Sequence, residues 1–216
     1  MVGRLPFWAQ LILFLFLADL IQYWSHWVLH VWKPLWHVHA VHHSPMKLDW
    51  LVAARVHPIE LAVNKAVSAV PLYLVGFGPE VVGVAVPLAA AYSLLIHSNL
   101  RWTYGPLGYV VASPAFHHWH HASDPPARDK NFAQTFSIID YLFGTAYFPR
   151  RAIPEQYGLV SGVMPDGIWR QFLHPLRQWW QMIQPAAPPP PDSVSEAMPK
   201  SFGKMPLTLP PPSPRE

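Results

Sequence analysis

PFWAQLILFLFLADLIQYWSHWVL, running from Pro6 to Leu29, carries one charge, at Asp19, in about the 20 apolar residues that a bilayer crossing requires. It reads as a first membrane helix. A secretory signal peptide would also place an apolar run behind a basic residue such as Arg4, but no small-x-small cleavage pattern follows, and the run continues directly into His26 and His30. Two further apolar runs, Pro58 to Phe77 and Pro79 to Ile96, flank GFGPE, whose Gly76, Gly78 and Pro79 mark a tight turn. They form a helical hairpin that returns the chain to its starting side, either as two crossings or as a deep re-entrant loop. Basic residues lie before the hairpin (Lys33, Lys47, Arg55) and after it (Arg101, Arg128, Lys130, Arg150, Arg151), whereas its tip has only Glu80. By the positive-inside rule the basic side is cytoplasmic.

The composition agrees. Of 216 residues, 51% are hydrophobic and only 12% charged, against roughly 25% charged in an average soluble domain. There is no cysteine, which excludes disulfides, thiolate metal sites and a cysteine nucleophile. The net charge of +3 comes from scattered Lys and Arg without a basic stripe, so nucleic acid is not an expected partner and anionic lipid headgroups are. Residues 167–184, GIWRQFLHPLRQWWQMIQ, place Ile168, Trp169, Phe172, Leu176, Trp179 and Trp180 on one helical face and Arg170, Arg177 and Gln181 on the other, the pattern of a helix lying in the interface. The chain thus divides into a membrane domain over 1–160, an interfacial helix over 161–184 and a Pro-rich tail over 185–216 expected to be disordered. No repeat covers the whole chain.

Histidine is the informative residue, with 13 copies. Three clusters have metal-ligand spacing: His26 and His30; His39, His42 and His43 in HAVHH; and His117, His120 and His121 in HHWHH. Residues three or four apart share a helix face, so each cluster can converge on an ion. Adjacent pairs, His42 with His43 and His120 with His121, diverge by about 100° and can serve two different ions. Eight imidazoles exceed the four that saturate a structural zinc, which favours a two-metal redox centre with open positions. Imidazole suits iron and zinc alike, and the spacing alone does not separate them. His37, His118 and His174 fall outside these clusters and read as hydrogen-bonded residues.

These motifs in this order, H-x(3–4)-H, H-x-x-H-H and a second H-x-x-H-H, resemble those of the fatty acid hydroxylase and sterol desaturase superfamily. The resemblance runs from about Asp19 to Pro149 and includes RVHPIE around His57, IHSNL around His97, DKNF at Asn131 and DYLFGT at Asp140. It implies an all-α fold: integral membrane helices with a helical hairpin and a cytoplasmic, histidine-rich helical cap holding a dinuclear metal site. It implies His26, His30, His39, His42, His43, His117, His120 and His121 as ligands, with His57 and His97 as ninth and tenth and no catalytic residue beyond them. The two ends of the hairpin would bring His57 and His97 beside the clusters. Asp19, Asn99, Asp124 and Asn131 are candidates for orienting imidazoles.

The implied chemistry is that of two iron ions and O2 acting on an unactivated C–H bond of a lipid such as a sterol or fatty acyl chain, giving hydroxylation or desaturation. The chain has no Gly-rich dinucleotide fingerprint, so electrons would come from an external reductase, ferredoxin or cytochrome. A non-redox zinc enzyme on the same ligands, or a membrane metal-binding or transport protein, are the competing readings. The chain departs from many relatives in having Trp27 and His118 where they have Arg, and Phe132 and Ala133 where they have Tyr-Gly. Relatives often carry one or two membrane helices ahead of the first motif, where only Met1 to Leu5 stand here.

On a helix His118 is rotated about 100° from His117, away from the face shared by His117, His120 and His121. His118→Arg is therefore expected to retain metal and turnover, whereas His117→Ala, His120→Ala and His121→Ala each lose both, as parallel metal and activity assays will show.

Overall fold

Each apolar run becomes a helix in the computed structural model, which describes residues 2–184; the tail over 185–216 lies outside the described residues. Helix α1 spans Phe7–Val31, α3 Pro58–Val75 and α4 Pro79–His97, and all three are long and apolar enough to cross a membrane. At about 1.5 Å per residue α1 measures about 37 Å, and α3 and α4 about 27–28 Å, against a hydrocarbon thickness of about 30 Å. Between α1 and α3 lies α2, Lys33–His43. The break comes at Trp32 (φ −97°, ψ 106°), just ahead of Pro34, whose missing N–H costs nothing in the first turn of a new helix. Helix α3 ends at Gly76, which has φ 81°, and Pro79 opens α4, so the turn has the chemistry expected of it. Pro71 and Pro87 are accommodated inside α3 and α4 without ending either helix.

Helix α1 is the common support: α2, α3 and α4 all pack on it, and α3 and α4 make their main contacts with α1 rather than with each other. Leu11 and Phe14 of α1 meet Leu72, Val81 and Ala85, with Phe77 edge-on to Phe14 at 5.1 Å. Leu61, Val67, Leu74, Val84 and Leu88 point outward and are exposed. An apolar surface of this extent is unfavourable in water and is covered in a bilayer.

Past α4 the chain builds a cap from short elements: α5 (Pro114–His120), α6 (Ile138–Phe143) and the connecting loops. Ser113 caps α5 by accepting from the Phe116 N–H, and Gly144 (φ 74°) ends α6. Two buried carboxylates hold the loop before α6, Asp19 from α1 and Asp140 from the cap itself. Asp19 accepts the backbone N–H groups of Gln134, Thr135 and Phe136 at 2.6–2.9 Å. Asp140 accepts those of Phe132 and Ala133 and the Thr145 hydroxyl at 2.7–2.9 Å. Between them they satisfy five donors of one irregular loop that would otherwise be buried unpaired. Tyr23, Phe132, Ala133 and Ile139 pack around this junction.

The amphipathic segment differs from the continuous helix expected over 167–184. It is two helices, α7 (Ile168–Phe172) and α8 (His174–Ile183), interrupted at Leu173 because Pro175 has no N–H to continue the ladder. The segment is tied to the start of α3, where the Phe172 carbonyl accepts from His57 Nε2 (2.9 Å), and to α2, where Trp179 Nε1 donates to the Pro34 carbonyl (2.8 Å). Ile168, Trp169 and Trp180 remain exposed. No strand occurs among the described residues; Ala122 and Tyr157 form one isolated antiparallel bridge.

Replacing Asp19 by Ala strands three backbone donors, so Asp19→Ala is expected to lose about 2–5 kcal/mol of stability. The check is the thermal or denaturant midpoint of the detergent-solubilised protein. Asp19→Asn, which keeps one acceptor oxygen, is expected to lose less.

Candidate metal centre

The helices bring nine histidines into two adjoining groups. One ring nitrogen from each of His26, His30, His39, His43 and His120 lies within 4.8 Å of the others, and His42, His97, His117 and His121 form a second group on the same criterion. The adjacent pairs divide between them: His42 and His43 face different groups, as do His120 and His121. The groups touch where the His43 and His121 rings stack with centroids 4.5 Å apart.

The hydrogen bonds on the far side of the rings fix which nitrogen is available. A carbonyl or carboxylate oxygen can only accept, so the ring nitrogen facing it carries the proton. Nδ1–H of His26 donates to the Phe132 carbonyl (2.8 Å), of His42 to Arg55 (3.3 Å), of His97 to Ser93 (2.7 Å) and of His120 to Lys130 (2.8 Å). His39 donates to the Glu60 carboxylate (2.9 Å) and His30 to Asp129 (3.1 Å). In all six rings Nε2 is therefore the lone-pair nitrogen, and all six point inward.

His26 Nε2 stands 3.1 Å from His39 Nε2, and His97 Nε2 stands 3.2 Å from His42 Nε2. Neither contact can be a hydrogen bond, because neither partner has a proton to give. Two nitrogens each about 2.1 Å from one ion and separated by a right angle to a tetrahedral angle lie about 3 Å apart. The Nε2 atoms of His30, His120 and His121 are buried without any partner. The donor set thus fits a metal in each group. With imidazole alone in both groups, it suits iron or zinc rather than magnesium or calcium.

Burial supports the ligating form. In the cap, desolvation first and neighbouring imidazoles second push His39, His42, His43, His117, His120 and His121 well below the usual imidazole range, so the rings are neutral at neutral pH. A neutral ring offers the lone pair that a metal needs.

Of the ten residues expected as ligands, His57 alone is not brought in. It caps α3, where Nδ1 accepts from the Ile59 N–H (3.2 Å) and Nε2 donates to Phe172, so both nitrogens are engaged. The hairpin places His97 in the second group but aims His57 the other way. His118 also stands apart: Nε2 donates to the Ser98 carbonyl (2.8 Å) and Nδ1 faces the Tyr157 hydroxyl (3.4 Å). His37 and His174 approach each other, at 6.3 Å between centroids, outside both groups.

The residues that orient the imidazoles are not the four expected from the sequence. Asp19 and Asn131 hold backbone instead: Asn131 donates to the Phe116 and Tyr147 carbonyls and accepts from the Tyr147 N–H. Asp124 accepts only a long bond from the Gln156 N–H (3.4 Å), and Asn99 lines a groove beside His118. Glu60 and Asp129 do the orienting, together with main-chain carbonyls. Asp129 lies in the DKNF stretch and Glu60 ends RVHPIE, but in the sequence they are ordinary acidic residues. Only Asp129's left-handed backbone (φ 54°), which is not visible in the sequence, sets it apart.

Two bordering cavities lie on the hairpin side, and one of them reaches the histidines. One, of about 430 Å³, is walled by His26, His39, His42, His97 and His117. The other, of about 530 Å³, lies among α1, α3 and α4 and is lined by apolar residues including Phe14, Leu72, Phe77 and Val82. A third, of about 230 Å³, reaches His30, His43, His120 and His121 from the side of Arg128 and Asp129.

The chain's relatives have the same character. Over 170 residues it is 31% identical to the ornithine lipid hydroxylase OlsE of Rhizobium tropici, which covers 79% of this chain and 51% of that protein. Over 169 residues it is 30% identical to an alkylglycerol monooxygenase of Caenorhabditis elegans, covering 78% of this chain and 32% of the relative. A very-long-chain aldehyde decarbonylase of Oryza sativa is 29% identical over 162 residues, covering 71% of this chain and 60% of the relative. The chain therefore spans about half the length of the first of these and a third of the second. No solved structure matches. The fatty acid hydroxylase family model matches residues 11–145, which include all nine grouped histidines, and the chain belongs to the fatty acid hydroxylase family.

Proposed function

We propose that this chain is a membrane-bound oxygenase holding two iron ions and acting on an unactivated C–H bond of a lipid. The observation that carries the reading is the pair of imidazole groups, nine rings in all, five of which wall a cavity that borders the apolar space among α1, α3 and α4. A structural zinc site needs four ligands and no cavity. The relatives named as a lipid hydroxylase and a monooxygenase support the same chemistry.

When bound, the iron pair supplies the reductive activation of O2, with the overall balance R–H + O2 + 2 e⁻ + 2 H⁺ → R–OH + H2O; desaturation uses the same O2 and electrons, takes two hydrogens from the substrate and yields two waters. The electrons come from an external one-electron carrier such as a ferredoxin, a cytochrome or a reductase. The chain's own residues do three things. The Nδ1–H bonds to Glu60, Asp129 and the carbonyls of Arg55, Ser93, Lys130 and Phe132 hold six rings in one tautomer and one orientation. The apolar cavity among α1, α3 and α4 receives the hydrocarbon part of the substrate and keeps water from it. The cap, anchored through Asp19 and Asp140, closes the other side of the site. In this reading residues 1–160 make up the oxygenase domain and 161–184 lie along the interface with Trp169 and Trp180 outward.

Metal analysis tests the proposal. The purified protein is expected to carry close to two metal ions per chain, with iron supporting turnover. His120→Ala is expected to lower occupancy in one group and His42→Ala in the other, each leaving about one ion. Removing metal with a chelator is expected to lower the thermal midpoint, because the inward lone pairs then repel one another with nothing between them. One ion per chain, or full turnover with zinc alone, would overturn the di-iron reading. Lipid profiles of cells with and without the gene report the product, heavier by one oxygen or lighter by two hydrogens.

From the basic segments around the histidine groups we infer, by the positive-inside rule, that the groups face the cytoplasm. Reporter fusions after Lys47 and after Arg150 are both expected to report cytoplasm, and a periplasmic or lumenal signal from either would refute the orientation.

A further inference from the structure

The apolar cavity and the histidine-walled cavity share a boundary, and that boundary is polar. Gln22 of α1, Lys65 and Ser68 of α3, Ser93 of α4 and Gln134 of the cap loop line both; Ala90 is the one apolar residue common to the two. Lys65 and Ser68 are one turn apart and share a face of α3. Gln134 reaches across to donate to the Ser93 hydroxyl (3.3 Å), which links the loop to α4 at this level. Below the collar the lining is mainly apolar, with Phe14, Leu15, Leu72, Phe77 and Val82 beside Asp19, Tyr73 and Thr135; above it stand the imidazoles with Glu60 and Asn64.

A plain alkyl chain passing from the bilayer to the metals would need none of these groups. Polar side chains on membrane helices are costly and mark substrate or ion sites. Lys65 is the strongest case. The ion pairs among the described residues are His30 with Asp129 and His39 with Glu60, so Lys65, exposed on α3, has no carboxylate within ion-pair distance among them. Of the carboxylates lining the same cavities, Asp19 is engaged by three backbone N–H groups and Glu60 by His39, which leaves an anionic oxygen of a ligand as the counter-ion Lys65 can take.

We propose that this collar binds the polar, anionic end of the lipid substrate, a phosphate or carboxylate on Lys65 with amide or hydroxyl groups on Gln22, Ser68 and Gln134, while the hydrocarbon chain occupies the apolar cavity below. The consequence is positional. Because the collar borders the imidazoles, the oxidised C–H lies within a few bonds of the polar group and not in mid-chain or at the methyl end. This rests on the lipid-oxygenase reading for the reaction itself, whose electrons and O2 are those already stated, and adds the class of substrate and the site of attack.

The test uses metal-loaded protein in neutral detergent and three probes of equal chain length: hexadecyl phosphate, palmitate and hexadecan-1-ol. Wild type is expected to bind an anionic probe roughly tenfold more tightly than the alcohol, the scale of one charge-assisted hydrogen bond, and whichever of phosphate and palmitate binds better identifies the headgroup class. Lys65→Met is expected to abolish that preference with metal content unchanged, and Lys65→Arg to retain it. Equal binding of all three probes by wild type, or a preference that survives in Lys65→Met, would overturn the collar and leave Lys65 as a residue that extends to the headgroup layer. Tandem mass spectrometry of the oxygenated lipid supplies the second readout: a new oxygen in mid-chain or at the methyl end refutes the positional claim. Should Lys65→Met lose the preference in a protein that oxygenates no lipid, the collar stands and the oxygenase reading falls.

Discussion

Nine imidazole lone pairs crowded into one buried volume repel each other, and everything around them in this protein serves to hold that arrangement. Two pairs of Nε2 atoms stand 3.1–3.2 Å apart with no proton between them, a separation that is unfavourable alone and favourable with a cation inside. A metal held by these groups would couple its binding to folding, since the site cannot exist in the unfolded chain. The neutral state of the cap histidines follows from the same burial: desolvation and mutual repulsion both disfavour the protonated rings.

The second constraint is the loop that joins α5 to α6. Beyond His121 it adds no residue to either histidine group, yet its Lys130 and Phe132 carbonyls fix the rings of His120 and His26, and its Asp129 carboxylate fixes His30. An irregular loop can hold such positions only if its own backbone is satisfied. Asp19 and Asp140 do this from opposite ends, one on the membrane helix and one on the cap helix. Asp19, the one charge in the first apolar run, is thus a structural acceptor that couples the membrane helix to the metal site.

The division of labour between membrane and cap follows from solvent. Helices α3 and α4 lean on α1 rather than on each other, which leaves the apolar cavity, and they expose many apolar side chains, Leu61, Val67, Leu74, Val84 and Leu88 among them. The cap has the opposite problem, short elements full of polar backbone, and solves it with carboxylate acceptors and helix caps. The metal centre sits where the two regimes meet. One cavity reaches it from the hairpin side, and another from the side of Arg128 and Asp129.

Much of this was legible in the sequence because it depends on local periodicity. Twenty apolar residues dictate a membrane helix, Gly76, Gly78 and Pro79 dictate a turn, and three- and four-residue spacing of His dictates shared faces, which is why adjacent His42 and His43 could be assigned to different ions. The angular argument also separated His118 from His117. Where tertiary contacts decide, sequence spacing was silent or misleading. His57 and His97 are equally placed at the ends of the hairpin, but His57 is turned aside by its cap bond and by Phe172, a residue more than a hundred positions away, while His97 meets His42 and His117. Glu60 and Asp129 became the orienting carboxylates, and Asp19 and Asn131 did not, because a hydrogen bond depends on where two distant segments of chain happen to meet. Pro175 is visible in the sequence and breaks the last amphipathic helix all the same, since hydrophobic periodicity does not register a missing N–H. The sequence by itself determined the helices and the histidine faces; the tertiary structure alone decided which histidines converge, because convergence is a property of the space between helices and not of any one of them.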